Sequence, residues 1–407
     1  MWLTYGLTPG PTHYTSFVTV VFVVSGIAAI PFIYYLIALY SAWRFFRQPL
    51  APAESSVAGS SFTPPVSILK PIRGLDPGAY ENLASFCRQS YPVYELVLCV
   101  DPDDDEVRSV VDKLQRDFPG VDIRVLLGSG RVASNDKVAK LARLVSEARH
   151  EVLAISDSDV LVAPDYLRTV TAPLRESGVG VVTCFYIHHG EKTFADRLQT
   201  AGMMSDFYAG VLVDWQLEGL KFTLGPSITT TRAKLAGFGG YPALENRPAD
   251  DLLVGRLIAE QGFEVRLLPY AVSTVSDYRS IGDLLHKRLR WIVVMRHMRP
   301  WGHLGLLLTQ GLFWSLVAVA IHPSAAVACG YLGAYLALRA AMTWVIGARG
   351  LRQPHLWRSM LLIPLWDAVA FVIWLASFTR NSIRWRGADY HIIQGQLVPV
   401  ASNRVGK

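Results

Sequence analysis

The chain has 407 residues, 51% of them hydrophobic, with a mean hydropathy of +0.27 and a formal net charge of +6. That length holds one large domain or two modest ones, and that hydropathy is high for a wholly soluble protein. The cations flank apolar stretches or crowd Lys287 to Arg299, so anionic lipid head groups fit the charge better than nucleic acid does, and four scattered cysteines (Cys87, Cys99, Cys184, Cys329) support neither a disulfide framework nor a zinc site.

Ser16 to Ala42 is almost wholly apolar and free of charge, long enough to span a bilayer. No basic region precedes it and no small-residue cleavage site is evident, so it reads as an anchor rather than a cleaved signal. Arg44, Arg47 and Lys70 follow it, which by the positive-inside rule places the chain from residue 43 onward in the cytosol. Residues 50–64, rich in Ala, Ser and Pro, read as a linker.

Strands and helices then alternate. Val66 to Leu69, Leu96 to Val100, Ile123 to Leu127 and Val152 to Ile155 are short apolar runs of the kind that form buried strands. Gly78 to Gln89, Glu106 to Phe118 and Lys137 to Ala148 have helical spacing. Such a series predicts a largely parallel, Rossmann-like α/β sheet covered by helices, with ligands beyond the carboxyl ends of the strands.

Polar clusters fall at those ends: Lys70 after the first strand, Asp101 and Asp103 to Asp105 after the second, Asn135 to Lys137 after the third, Asp157 and Asp159 after the fourth. Any one of them suits an ordinary solvated loop, but parallel topology brings all four to one edge. Asp157 and Asp159 are the metal candidates. Two carboxylates one residue apart suit Mg²⁺ or Mn²⁺, which complete their shell with water and substrate phosphates. Lys70, Asp104, Asp105, Asn135, Lys137 and Asp157 are the candidates for holding a nucleotide-sugar: carboxylates for a uracil N–H or ribose hydroxyls, lysines for phosphate.

Asp250-Asp251 precedes the apolar pattern Leu252, Leu253, Leu257, Ile258, where carboxylates cap a helix on dipole grounds. The same position suits a general base, with Asp251 ahead of Asp250. Ile281 to Met298 has a helical period with one apolar side and many cations, as in a helix on a membrane surface. Within it Arg290 is placed to neutralise a leaving diphosphate and Trp291 to pack at an acceptor. His303 to Ile321, Ser324 to Ile346 and Ser359 to Phe378 look long enough to span, although Arg339 and Asp367 lie inside two of them. The organisation expected is an anchor at 1–49, the linker, a cytosolic catalytic domain at 65–300, membrane helices at 301–380 and a tail at 381–407.

Val66 to Pro71, Gly74-x-Asp76-Pro77, Glu81-Asn82-Leu83, Tyr91-Pro92-x-Tyr94-Glu95, the Asp-Ser-Asp, the later Asp-Asp, Arg290-Trp291 and Trp385-Arg386-Gly387 together resemble the ceramide glucosyltransferase family of GT-A glycosyltransferases, families 2 and 21. Hopanoid-biosynthesis glycosyltransferases share these motifs, including Val181 to Cys184. The resemblance implies an inverting transfer of a hexose from a UDP-sugar to a lipid hydroxyl, at an integral membrane site such as a bacterial inner membrane. UDP-glucose and ceramide come first, UDP-N-acetylglucosamine and a hopanoid second, and a processive polysaccharide synthase is the rival reading. It puts the family's first aspartate on Asp105 with Asp104 beside it, the second on Asp157, the base on Asp251, and the terminal motif on Lys287 to Trp291. Lys287, Pro102, Ala139 and Lys140 depart from the family pattern, which bears on donor choice more than on reaction type.

Overall fold

The computed structural model describes residues 11–48, 62–130, 133–275, 278, 280–385 and 388–400. Most of the expected linker at 50–64, and Arg386-Gly387, lie outside the described residues. Helix α1 (Pro11–Phe45) carries Pro31 inside a run of high hydropathy. Then follow β1 (Val66–Pro71), α2 (Ala79–Cys87), β2 (Tyr94–Val100), α3 (Asp105–Asp117), β3 (Asp122–Leu127), α4 (Asp136–Glu147) and β4 (Val152–Ile155). Every strand and helix expected between residues 66 and 155 is present, with no end moved by more than two residues. β1, β2 and β4 are buried along nearly their whole length, as strands covered on both faces must be.

The second half adds β5 (Val160–Leu161), α5 (Tyr166–Thr171), β6 (Val179–His189), α6 (Phe194–Gly202), a π-helical turn at Met203–Phe207, α7 (Tyr208–Glu218), β7 (Ile228–Thr231), α8 (Arg232–Ala236), α9 (Asp250–Glu260) and β8 (Glu264–Val275). The sheet has eight strands in the order β3-β2-β1-β4-β7-β6-β8-β5. β1 pairs in parallel with both β2 and β4, so Leu69 lies beside Val97 on one side and Ile155 on the other. The register aligns the carboxyl ends of three strands. β7 runs antiparallel between β4 and β6 and closes the parallel half.

α10 (Ile281–Met298) forms over the span expected for it. The apolar region after it departs from the expected three spans. α11 (Pro300–Gly305) and a 3₁₀ turn to Thr309 meet α12 (Gly311–Ile321) at a 52° bend. α13 (Ala325–Thr343) continues through a π-helical turn to Gly350, and α14 (Leu356–Met360) is separate from α15 (Ile363–Ser377). Among the described residues two helices are long and apolar enough to cross a membrane, Val21–Phe45 and Ala325–Gly350, with a third if the bent pair is one span. α15 has only 15 residues. Arg339 and Asp367 account for each other: Arg339 Nε donates to Asp367 Oδ2 at 3.0 Å, Tyr335 Oη donates to the same oxygen at 2.7 Å, and all three side chains are buried between helices.

The expected tail instead begins as an antiparallel sheet of β9 (Ser382–Trp385), β10 (Ala388–Ile393) and β11 (Gln396–Pro399). Gln394 and Gly395 have φ of 50° and 74°, the two left-handed positions of a tight hairpin turn. Ile383, Ile392 and Leu397 pack this sheet on Val293 of α10. The Leu397 N–H donates to Asn246 O at 2.7 Å.

Candidate active site

Lys137, in the first turn of α4, brings separate elements together. Its Nζ lies 2.6 Å from Asp157 Oδ1, just past β4, and 3.7 Å from Asp250 Oδ2, at the start of α9. A cation near a helix N-terminus opposes the helix dipole, so other charges must hold it there. Burial alone would lower its pKa, but Asp157, Asp250 and Asp251 outweigh burial and keep the ammonium protonated well above its ordinary value.

Asp251 follows on the same turn as Asp250. Ala249, just before, has φ 56°, a left-handed conformation that costs an alanine about 1 kcal/mol and is held by its surroundings. Asp251 Oδ1 accepts the Leu252 N–H at 2.8 Å, and Thr223 Oγ1 donates to the Asp251 carbonyl at 2.6 Å. A side-chain carbon on Gly225 would lie 2.9 Å from Asp251 Oδ2, and one on Gly255 would meet Phe222 and Thr223 backbone at 2.5 Å. Two glycines thus let α9 press against residues 222–225 and set the carboxylate. Burial, then the Asp250 charge, pushes Asp251 up to about 6, with Lys137 pulling it down. A carboxyl titrating near 6 is matched to proton abstraction near neutral pH.

Asp159 is pushed up to about 7 by burial and by the charges of Asp157 and Asp76, with Lys70 opposing. That repulsion is what a divalent cation relieves, and an oxygen-only pair of carboxylates suits Mg²⁺ or Mn²⁺. Among the described residues no group of three His, Cys, Asp or Glu side chains forms a metal cluster. Water and phosphate oxygens are the usual further ligands of such an ion.

The remaining candidates divide. Lys70 is fully buried; its Nζ donates to the Asp157 carbonyl at 2.7 Å and lies 3.6 Å from the centre of the Phe86 ring. Burial brings it down to about 7. Asn135 is buried and caps α4, its Oδ1 accepting the Val138 N–H, while its N–H donates to Glu245 O at 3.0 Å. Asp104 caps α3 through the Val107 N–H and accepts the Gly74 N–H at 3.0 Å, which fixes the loop after β1. The Asp105 side chain is 92% exposed, 3.7 Å from Arg108, and the structure does not bring it to the Asp157–Asp251 group. Arg290 lines a groove between α10 and the C-terminal sheet, together with Arg380 and Arg384. Trp291 packs inward, its ring 6.2 Å from that of Phe207.

Some side chains at the site carried no assigned role in the sequence. Asp76 acts on both Lys70 and Asp159. Lys140 is buried, with Nζ 2.6 Å from Asp101 Oδ1 and 2.7 Å from Ile72 O, and so ties β2 and the loop after β1 to α4. Asp76 lies in the quoted Gly74-x-Asp76-Pro77 motif and Asp101 in the strand-end cluster, so position alone was a usable signal. Tyr186 is held well above its ordinary pKa by burial; Arg288 of α10 opposes that shift, and Asp251 and Asp157 add to it, so the carboxylates and α10 share one neighbourhood.

Comparison with known proteins bears on the family and the fold. The profile described as "Glycosyl transferase family 21" matches residues 23–398. Ceramide glucosyltransferase 3 of Caenorhabditis elegans is 26% identical over 289 residues, covering 66% of this chain and 57% of that protein. Ceramide glucosyltransferase of Komagataella phaffii is 31% identical over 159 residues, covering 36% of this chain and 30% of that protein. The chain therefore spans little more than half the length of the first relative and less of the second. Among solved structures, mannosyltransferase PcManGT from Pyrobaculum calidifontis, in complex with GDP-Man and Mn²⁺, is similar in fold at a TM-score of 0.53 and 20% identity, covering 86% of this chain and 99% of that one. The architecture is GT-A. With a family profile matched along nearly all of its length, the chain belongs to glycosyl transferase family 21.

Proposed function

We propose that this protein is a membrane-bound inverting glycosyltransferase that moves glucose from UDP-glucose to the primary hydroxyl of ceramide. The observation that carries the reading is the Lys137 bridge, which sets Asp157 and the Asp250-Asp251 pair around one ammonium at the carboxyl edge of a GT-A sheet. The names of the curated relatives support the sugar and the lipid.

Asp251 accepts the acceptor's hydroxyl proton as the oxygen attacks the anomeric carbon. The new C–O bond forms while the bond to the UDP β-phosphate oxygen breaks, and UDP departs with that electron pair. One displacement with one base inverts the anomeric centre. Lys137 keeps Asp157 oriented and lowers the cost of ionising Asp251. Asp157 and Asp159 would hold Mg²⁺ or Mn²⁺, which supplies charge neutralisation for the diphosphate. Arg290 and Trp291 remain assigned to the diphosphate and the acceptor. α1 and the apolar helices hold the catalytic domain at the interface from which a lipid enters, on the cytosolic side.

The test incubates membranes carrying the protein with UDP-glucose plus ceramide and, separately, with UDP-N-acetylglucosamine plus a hopanoid polyol. Product mass and the coupling constant of the anomeric proton are read. A β-glucosylceramide is expected. A hopanoid product shifts the substrate to the second acceptor, and a polymer or no lipid product overturns the reading.

A further inference from the structure

α10 sends two arginines to opposite sides. Residues two apart on a helix are turned by about 200°. With Arg290 toward the C-terminal sheet, Arg288 therefore turns into the protein, where it is 7% exposed. There it meets α6 and α15. Its Nε donates to Gln199 Oε1 at 2.7 Å, and its guanidinium carbon lies 4.7 Å from the centre of the Trp366 ring and 4.9 Å from that of Trp291. Gly202 lets α15 come this close: a side-chain carbon there would lie 2.3 Å from the Trp366 indole. Gln199 and Trp366 are buried as well.

Three hydrogen-bond donors are left over in this seam. Arg288 Nη2, Gln199 Nε2 and Trp366 Nε1 are sealed from solvent with no partner among the described residues. An unpaired buried donor is costly, and nearly all buried polar groups in folded proteins are paired. Three such donors in one contact point to a ligand that brings acceptor oxygens and parts the seam as it enters. His188, at the end of β6, stays neutral at pH 7, because burial and then the Arg288 charge bring it down to about 4. It adds no second positive charge, so the seam suits a neutral, dipolar oxygen better than a polyanion. The seam also adjoins the carboxylate centre, since the charges of Arg288, Asp251 and Asp157 all act on Tyr186.

We propose that Arg288, Gln199 and Trp366 bind the polar head of the acceptor lipid, through a carbonyl or hydroxyl oxygen other than the hydroxyl that reacts, and so set acceptor specificity. A lipid with one hydroxyl and no further oxygen leaves the donors unpaired and is rejected, which is how a site built on hydrogen bonds discriminates. The inference rests on the transferase reading and deepens it, from a lipid acceptor to the chemistry of its head.

The experiment measures equilibrium binding of tritiated lipids to the full chain in detergent without nucleotide-sugar, so no turnover is needed. The probes are N-octanoylsphingosine, a hopanoid polyol, and tetradecanol, which has one hydroxyl alone. R288M, Q199L and W366F each remove donors from the seam, and W366F keeps an aromatic ring while losing only the indole N–H. Each variant should bind the oxygen-rich lipid about tenfold more weakly, the loss of one buried hydrogen bond, and tetradecanol within about twofold of wild type. UDP affinity, measured with Mn²⁺, should stay at the wild-type value. If R288M does not fold, W366F decides alone. Selective loss of the oxygen-rich lipid without any glucosyl product from the wild type sustains the seam and removes the transferase reading. Three results overturn the proposal: neither oxygen-rich lipid binds the wild type; the variants bind it unchanged, as a seam that holds only water would; or W366F weakens all lipids equally or loses UDP affinity instead.

Discussion

Lys137 Nζ stands 2.6 Å from Asp157 Oδ1 while also facing Asp250 and Asp251, so a single ammonium offsets acids from two distant elements. Lys137 and Asp157 are half-buried, and removing one partner of such a pair leaves a partly uncompensated charge, costing about 1–3 kcal/mol. K137M should lose stability of that order at pH 7.5, measured by thermal or chemical unfolding in detergent. Lys137 pulls the Asp251 pKa down, so its loss raises that pKa further. The deficit should shrink as pH falls below 6 and Asp251 takes up its proton. A deficit constant from pH 5 to 8 would show that packing, not charge, explains the variant.

Activity should follow the ionisation of Asp251. Its pKa is raised to about 6, so the base is ready above that pH and protonated below it. The pH profile of kcat/KM should be flat above about 7 and fall about tenfold per unit below 6. D251N should lose about 10²–10⁴ in kcat while keeping UDP affinity. Near wild-type turnover in D251N would move the base elsewhere.

The two glycines at the contact between α9 and residues 222–225, Gly255 within the helix and Gly225 opposite it, should fail differently. G225A puts a carbon 2.9 Å from Asp251 Oδ2, and a carboxylate can swing aside. It should fold normally and lose on the order of 10²-fold in kcat, the cost of misplacing a reacting group by about 1 Å. G255A drives a carbon into the backbone of Phe222 and Thr223 at 2.5 Å, which cannot move cheaply. Overpacking of that kind costs about 1–3 kcal/mol and should appear as a lower unfolding midpoint.

Metal dependence is testable on two residues. EDTA should abolish transfer, and Mg²⁺ or Mn²⁺ should restore it. D157A and D159N should weaken Mn²⁺ binding, read by the relaxation of water protons as well as by turnover. Full activity in EDTA would remove the metal from the reading.

The Arg339–Asp367 pair gives a prediction about the apolar helices. R339M alone strands a buried carboxylate and should cost about 3–5 kcal/mol. R339M/D367L, which removes both charges, should recover most of it. Equal loss in the single and double variants would argue that Arg339 matters through its contacts with Ser205 instead.

The parallel half of the sheet was legible because its strands are continuous apolar runs and its helices have strong periodicity, both local properties. What depended on distant pairing was not. Nothing in β7 alone states that it runs antiparallel between β4 and β6. The four polar clusters were correctly expected at one edge, but Asp105 and Lys70 show why residue type does not fix direction: one faces solvent and the other is sealed against Phe86. Lys140 was read only as a departure from a pattern, although its burial ties Asp101 to α4. The 52° break at Gln310 and the 15-residue length of α15 are not visible in composition, so the helical pieces differ from the three long apolar runs of the sequence. The C-terminal hairpin had a local signal, Gln394-Gly395 between alternating apolar residues, that was not used.

That hairpin reaches further than its place in the chain suggests. Leu397 holds Asn246, Asn246 Oδ1 accepts the Ser134 N–H, and the neighbouring Glu245 and Arg247 carbonyls hold Asn135, whose cap starts the helix bearing Lys137. β11 is thus a strut beneath the Lys137 ammonium. Trimming the chain back past Gln396 would loosen the reaction centre from more than two hundred residues away.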